Sequence, residues 1–358
     1  MKTKLLSLSA TLLSFNLIVT GQSWNPKANL PSARTHGYGF SIGNKGYVGG
    51  GEALAGGGGT YQCVDLWEWD QSTNIWIQRA NFPGGTRDEA VAFSIGTKGY
   101  VGTGYTSTTY SKDFYEWNQA NNQWTRKSDF GGTARNSAVG FSIGTKGYIG
   151  TGADDPYGYE TKDFWEYNPA NDSWTRKADI PVARLGAVGF GIGAKGYIGT
   201  GGYYSFGLQM LADFWEYDQA GNSWVARAPF PGTARAGAVG FSIGAKGFIG
   251  TGSAKWNQNL ADFWEWDQAS NSWVQRPDYS GGPVRNAVGF SIGNKGYIGG
   301  GTNGAAGDKT SPSGHFSEYS DPSLPCILAS SVSSSVAAIC SGSGASANLT
   351  ASGGTSYS

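Results

Sequence analysis

The chain of 358 residues has three cysteines, two histidines and two methionines. Redox copper sites draw on several imidazoles, and His36 and His315 are too few to build one. Three thiols close at most one disulfide and leave one cysteine over. Cys63 lies in a glycine-rich loop, while Cys326 and Cys340 lie near the C-terminus. If the chain is exported, a Cys326–Cys340 bridge is open to it. Excess charge of one sign is also missing: Lys+Arg 26 stand against Asp+Glu 26. Neither nucleic acid nor an anionic membrane surface is favoured by such a balance. Beyond the N-terminus no apolar run is long enough to cross a bilayer.

What the chain does have is glycine, 58 residues, and aromatics at 14%. A disordered chain would be poor in aromatics. The pairing suits many short strands joined by tight turns. The first 21 residues read as an export signal. Lys2 and Lys4 form a charged start, Leu5 to Val19 an apolar stretch, and Val19 and Gly21 small residues before a cleavage point.

A repeat organises the rest. Arg34, Arg87, Arg135, Arg184, Arg235 and Arg285 each open a similar unit of roughly 50 residues. A glycine-spaced apolar run follows, such as Ala138-Val139-Gly140-Phe141-Ser142-Ile143. Next come a Lys-Gly turn, a second run (Tyr148-Ile149-Gly150), a variable loop, a third run (Asp163-Phe164-Trp165-Glu166-Tyr167) and a fourth beginning at Trp174. Four strands per unit predict one blade of a propeller. Glycines in the first strand allow close approach at a crowded central axis. Thirteen of the fourteen tryptophans fall at repeat positions and read as core between blades.

The last unit stops after its third strand, Phe316 to Tyr319. Ser23-Trp24-Asn25-Pro26-Lys27-Ala28 matches Ser173-Trp174-Thr175-Arg176-Lys177-Ala178, so the strand after the signal should complete the last blade. The expected fold is therefore all-β: a six-bladed propeller over residues 22–322, closed by its N-terminal strand. Residues 323–358 turn rich in Ser, Ala and Gly and read as a linker and the start of an immunoglobulin-like sandwich. That module stops too early to bury a core, so the sequence reads as truncated.

These units resemble the kelch family over Gln22 to about Asp321. The resemblance rests on the Pro-x-x-Arg opening (Pro31 to Arg34, Pro181 to Arg184), the strand ends at Tyr47 and Tyr297, and the stretch from Asp163 to Trp174. Four units depart from it with Thr-Gly in place of Gly-Gly, a change expected to disturb the fold little. Kelch propellers serve as enzymes, ligand binders and scaffolds, so the resemblance implies fold more than function. Its galactose-oxidase branch uses copper, which the two histidines make improbable. Its sialic-acid mutarotase branch implies acid–base groups near the channel, for which Asp88 and Glu89 are the candidates. The tail from Cys326 resembles modules of bacterial surface proteins.

Three sets of residues invite a functional reading. The six arginines could ring the channel mouth and favour an anion. The repeated glutamates Glu68, Glu116, Glu166, Glu216, Glu265 and Glu318 instead suggest a structural Arg–Glu pair. Asp154-Asp155 fits no calcium-loop pattern. The loops joining second to third strands carry Tyr105, Tyr157, Tyr159, Tyr203, Tyr204 and Trp256. Aromatics on variable loops suit stacking on sugars or packing on a protein. The sequence thus reads as a secreted or surface binding module for glycan or protein, with no cofactor or metal. A carbohydrate-active enzyme and a structural spacer are the alternatives.

Overall fold

The computed structural model describes residues 21–323, apart from 56–58, 155–158, 206, 256–257 and 305–310. Most of the expected signal segment, Trp256, Tyr157, Cys326, Cys340 and the sandwich-like tail lie outside the described residues. The described secondary structure consists of strands and turns.

Alternation within each run builds the strands. In Val139–Ile143 the side chains of Val139, Phe141 and Ile143 are buried, while Gly140 and Ser142 between them are half-buried. Gly144 opens the two-residue turn to Lys146 at φ 57°, a conformation that favours glycine. The second strand, Lys146–Gly150, pairs with Phe164–Asn168, which pairs with Ser173–Lys177. Six antiparallel four-stranded sheets of this kind are described. The last consists of Arg285–Ile292, Lys295–Thr302, Phe316–Ser320 and, from the other end of the chain, Ser23–Pro26. Trp24 faces Tyr319 in the same register in which Trp174 faces Tyr167.

Glycine fixes the spacing between sheets. A Cβ on Gly147 would fall 2.3 Å from the Phe93 ring of the preceding sheet, and one on Gly196 2.5 Å from Phe141. The series returns to its start, because a Cβ on Gly46 would fall 2.3 Å from Phe290 of the last sheet. Each phenylalanine therefore needs the bare backbone of the next unit's Lys-Gly pair. On the outside, indole N–H groups bond back to the preceding sheet's trailing segment. Trp124 reaches the Ala80 carbonyl at 2.9 Å, and Trp24 the Pro277 carbonyl at 2.9 Å.

At one end of the innermost strands, six backbone bonds join the sheets in a closed circle. Glu89 N–H donates to the His36 carbonyl (2.9 Å), Ser137 to Glu89 (3.2 Å), Gly186 to Ser137 (3.0 Å), Gly237 to Gly186 (2.9 Å) and Asn286 to Gly237 (2.8 Å). His36 closes the circle on Asn286 at 3.0 Å. The sheets and this circle fit a propeller, and the central channel runs between residues such as Gly39, Ala92, Gly140 and Gly189.

Candidate functional site

The expected Arg–Glu pair is not what forms. Arg34, Arg87, Arg135, Arg184 and Arg235, all buried, grip Asp65, Asp113, Asp163, Asp213 and Asp262 just ahead of the third strand. Arg135 is typical: Nη1 and Nη2 bond the two Asp163 oxygens at 2.6 and 2.9 Å. Nη1 also bonds the Thr151 carbonyl at 2.9 Å. Trp165 donates its indole N–H to the same aspartate at 2.7 Å. Burial alone would raise the Asp163 carboxyl; the Arg135 bonds and charge outweigh it and hold it below the usual carboxylate range. The repeated glutamates serve another network, with Glu68 bonded to Tyr47 (2.8 Å) and Arg79 (2.7 Å).

The sixth unit departs from the other five. Gly300 N–H bonds the His315 carbonyl as Thr251 N–H bonds that of Asp262, so His315 occupies the aspartate's place. Gly252 N–H bonds the Val284 carbonyl as Gly201 N–H bonds that of Arg235, so Val284 occupies the arginine's place. Arg285 therefore lies one residue further along, where Thr35, Asp88, Asn136, Leu185 and Ala236 stand in the other units. It is no sixth member of the set. Its Nη1 bonds the Gly304 carbonyl (2.8 Å) and Asn259 Oδ1 (3.1 Å).

The Thr-Gly units build the same four-stranded sheets as the others, but their threonines carry a local strain. Thr103, Thr151, Thr200 and Thr251 have φ of 59, 62, 59 and 60° and are completely buried, with side-chain oxygens that meet no partner. A β-branched residue is strained there. The carbonyls of these threonines are the ones the buried arginines hold, so the Arg–Asp clamp fixes the strained corner.

Beyond the clamps lies the channel mouth. His36, Glu89, Ser137, Gly186, Gly237 and Asn286, the members of the hydrogen-bonded circle, all have positive φ between 51 and 63°. Four of these side chains meet across sheets. Glu89 Oε2 accepts from Asn136 Nδ2 and Ser137 Oγ, each at 2.6 Å. Glu89 Oε1 stands 3.5 Å from His36 Nε2, which lies 2.7 Å from Asn286 Nδ2. His36 thus bridges the first and last sheets. No repeat signal marks it in the sequence. Reading the residue two places after each buried arginine would have collected five members of this circle.

A cavity of about 270 Å³ opens at this mouth. Its lining combines the polar or charged His36, Glu89, Ser137, Ser253, Arg285 and Asn286 with the apolar Leu185, Leu208, Met210 and Ala236. Leu208 and Met210 come from a variable loop that forms its own hairpin, Gly202–Tyr204 against Leu208–Met210. Variable loops and the circle therefore share one end of the molecule. The loop tyrosines named from sequence are not gathered into one patch. Tyr105 packs edge-on against Tyr110 at 5.6 Å and bonds the Ser107 carbonyl. Tyr203 is half-buried, whereas Tyr159 and Tyr204 are 67% and 54% exposed. None of them lines the cavity. Asp88 is buried and pairs by its backbone with Tyr105. Among the described residues no group of three or more His, Cys, Asp or Glu side chains converges to hold a metal. Cys63 is buried and forms no disulfide. No described helix is long and apolar enough to cross a membrane.

No protein-family model matches the chain, and no curated protein matches it. A solved structure, described as the structure of YjhT, matches with a TM-score of 0.67 over 81% of this chain and 95% of its own, at 17% identity. The fold is that of a kelch-like propeller. At that identity the likeness to YjhT speaks for the fold and leaves the chemistry to the residues at the mouth.

Proposed function

We propose that the chain is a six-bladed kelch-like propeller, exported to the cell surface or beyond, that binds a carbohydrate at its channel mouth without transforming it. The six four-stranded sheets and the closed circle of backbone bonds support the blade count. The charged start and apolar stretch of the first 21 residues, which read as an export signal, support export. One observation carries the binding reading: the cavity is lined both by hydrogen-bonding groups of His36, Ser137, Asn286 and Glu89 and by the apolar side chains of Leu185, Leu208 and Met210. A sugar ring has that division, with hydroxyls at its edge and C–H groups on its faces. Such a pocket orients a ligand by a few placed polar groups.

The test is a glycan array probed with the purified chain alongside Asn286→Gly. Glycine stands at the equivalent positions 186 and 237 with the same left-handed backbone, so this variant keeps the circle. Selective binding that falls about tenfold in the variant, the worth of one lost hydrogen bond to a polar ligand, supports the reading. A folded wild-type protein that retains no glycan overturns it in favour of a spacer or a protein-binding role.

The 3.5 Å approach of Glu89 to His36 favours one alternative, a carbohydrate-active enzyme of the mutarotase kind. An acid–base pair at the mouth could move protons at a sugar's anomeric centre. Anomer exchange followed by NMR separates the two. A rate above the uncatalysed one that drops at least a hundredfold in Glu89→Gln would establish catalysis, within the usual range for a general acid or base.

A further inference from the structure

The junction that closes the ring differs from the other five in two linked ways. In each of those five, the turn into the fourth strand ends in an asparagine or aspartate with positive φ, and its side-chain oxygen accepts a backbone N–H from the preceding sheet's trailing segment. Asn122 is typical, with φ 55° and Oδ1 2.9 Å from the Ala80 nitrogen. At the sixth junction the donor's place is taken by Pro277, which has no N–H to give. The acceptor's place, just before Ser23, is taken by Gln22. Both partners have changed together, and the turn itself is gone: one strand ends at Ser320 and its neighbour begins at Ser23.

Gln22 makes contacts of its own. Its Nε2 donates to Asp321 Oδ2 at 2.6 Å, and its Oε1 accepts from Arg276 Nη1 at 3.2 Å. Asp321 is 3% exposed, and its other oxygen accepts from the Ser323 N–H and hydroxyl at 2.8 and 2.7 Å. Arg276 is fixed in turn by Glu265 at 2.8 Å. One amide is thus gripped at its acceptor by a cation and at its donor by an anion, at the place where the chain is open.

The export-signal reading puts the cleavage point after Gly21, so removal of the signal makes Gln22 the first residue. We propose that Gln22 is a modification site, converted on export to a pyroglutamyl cap. The released α-amino nitrogen attacks the side-chain Cδ. The N–Cδ bond of a five-membered lactam forms, the Cδ–Nε2 bond breaks, and Nε2 leaves as ammonia with one proton from the amine. No co-reactant is consumed. The step takes place before the strand docks, while the amide is unheld. The product suits the junction. Its carbonyl oxygen is the same Oε1, an acceptor for Arg276, and its ring N–H is a donor for Asp321 in place of the lost Nε2–H. Cyclisation also removes the terminal charge. A free α-ammonium would add a second cation beside the Arg276 guanidinium. This rests on the export reading above and names the chemistry at the processed end.

The experiment is mass mapping of the amino-terminal peptide of the full chain, recovered from its native host. A peptide that begins at residue 22, is lighter by one ammonia than its unmodified sequence, and yields its first residue to a pyroglutamyl peptidase after denaturation supports the proposal. The Gln22→Ser chain should show no such loss of mass. A peptide that begins at residue 22 with its glutamine intact overturns the modification and leaves the export reading standing. A chain that keeps its signal overturns the export reading and the modification together, and a chain cut elsewhere overturns the cleavage point and the modification. Docking is read separately. The capped protein should melt no lower than the same chain with an uncyclised Gln22, prepared by proteolytic release of a fusion partner and checked by mass. A lower melting temperature overturns the fit of the lactam at the junction.

Discussion

Arg184 Nη1 and Nη2 bond the two carboxylate oxygens of Asp213 at 2.6 and 2.7 Å, with the guanidinium completely buried. The same arginine holds the Thr200 carbonyl at 3.0 Å and the Val182 carbonyl at 3.1 Å. One side chain thus joins the start of its unit to the end of the second strand and the start of the third. Five units use this clamp, and the sixth replaces both partners together, with Val284 and His315. Joint replacement follows from the cost of leaving either charge alone.

That logic predicts a sharp asymmetry between single and double variants. Arg184→Met should lower stability by about 3 kcal/mol or more, because Asp213 loses its partner and three backbone segments lose their tie. The double variant Arg184→Val, Asp213→His copies the sixth unit and should recover a large part of that loss. Urea denaturation with a common slope measures both. A double variant no better than the single one would show that the sixth unit depends on other compensations.

The threonine corners predict a gain. Thr151 is buried at φ 62° and its hydroxyl has no partner. Strain of this kind costs of order 1 to 3 kcal/mol, and glycine adopts the conformation freely. Thr151→Gly should therefore raise stability by about 1 kcal/mol, after the entropy of the added glycine is subtracted. A lower denaturation midpoint would mean that the buried methyl contributes more than the strain removes.

Much of the fold was legible because the repeat makes each residue's environment recur. Trp24 could be paired with the last sheet from sequence alone, since its neighbours match those of Trp174 residue by residue. The clamp partner was misjudged because aspartate and glutamate both recur within four residues of each other. Only the path of the chain decides which one the arginine meets. Arg285 was misplaced for a related reason: one residue is missing between it and the following Ala-Val, so equal spacing concealed a shift in register. The mouth was least legible. Glu89 could be named as an acid–base candidate from its place after Arg87, but His36 and Asn286 come from other units and meet it only when the ring closes. Leu208 and Met210 carry no repeat signal, and they reach the cavity only through the hairpin their loop forms, which the sequence does not specify.

Acid should weaken the protein in two separate steps. Burial lowers the pKa of His315 below its ordinary 6.5, and Ser317 Oγ lies 2.7 Å from its Nε2. The unfolded chain therefore takes up this proton first, so stability is full above about pH 6.5 and declines as pH falls below it. At Asp65, Asp163 and Asp262, burial alone would raise the pKa, but the arginine bonds outweigh it and the folded pKa lies below 3.8. Their contribution is present above that value and is lost as pH falls through it. Melting temperature against pH should show a shallow decline below 6.5 and a steep one below 4. His315→Asn should flatten the first and leave the second. An unchanged profile in that variant would assign the upper step to another group.

Closure of the ring can be weighed through Trp24. Its indole lies edge-on to Phe263 at 5.0 Å and to Tyr279 at 5.1 Å, and tilted to Tyr319 at 5.3 Å. Its N–H reaches the Pro277 carbonyl. The fifth and sixth sheets therefore share this one ring, delivered by a strand from the opposite end of the chain. Trp24→Ala removes the contact and leaves a cavity where two sheets meet, which should cost about 3 kcal/mol. The equivalent change at Trp174 removes similar contacts from an internal junction, with Phe114 at 5.0 Å and Phe130 at 5.1 Å. Trp174 sits in a strand held by continuous chain on both sides; the strand of Trp24 is joined to its sheet only by pairing and packing. Hydrogen exchange should show this difference directly. In Trp24→Ala, protection should fall first at Ser23–Pro26 and Phe316–Ser320, whereas Trp174→Ala should lower protection evenly across the molecule. Even loss in both variants would mean that the closing strand is as firmly held as the internal ones, and that the ring opens only by unfolding as a whole.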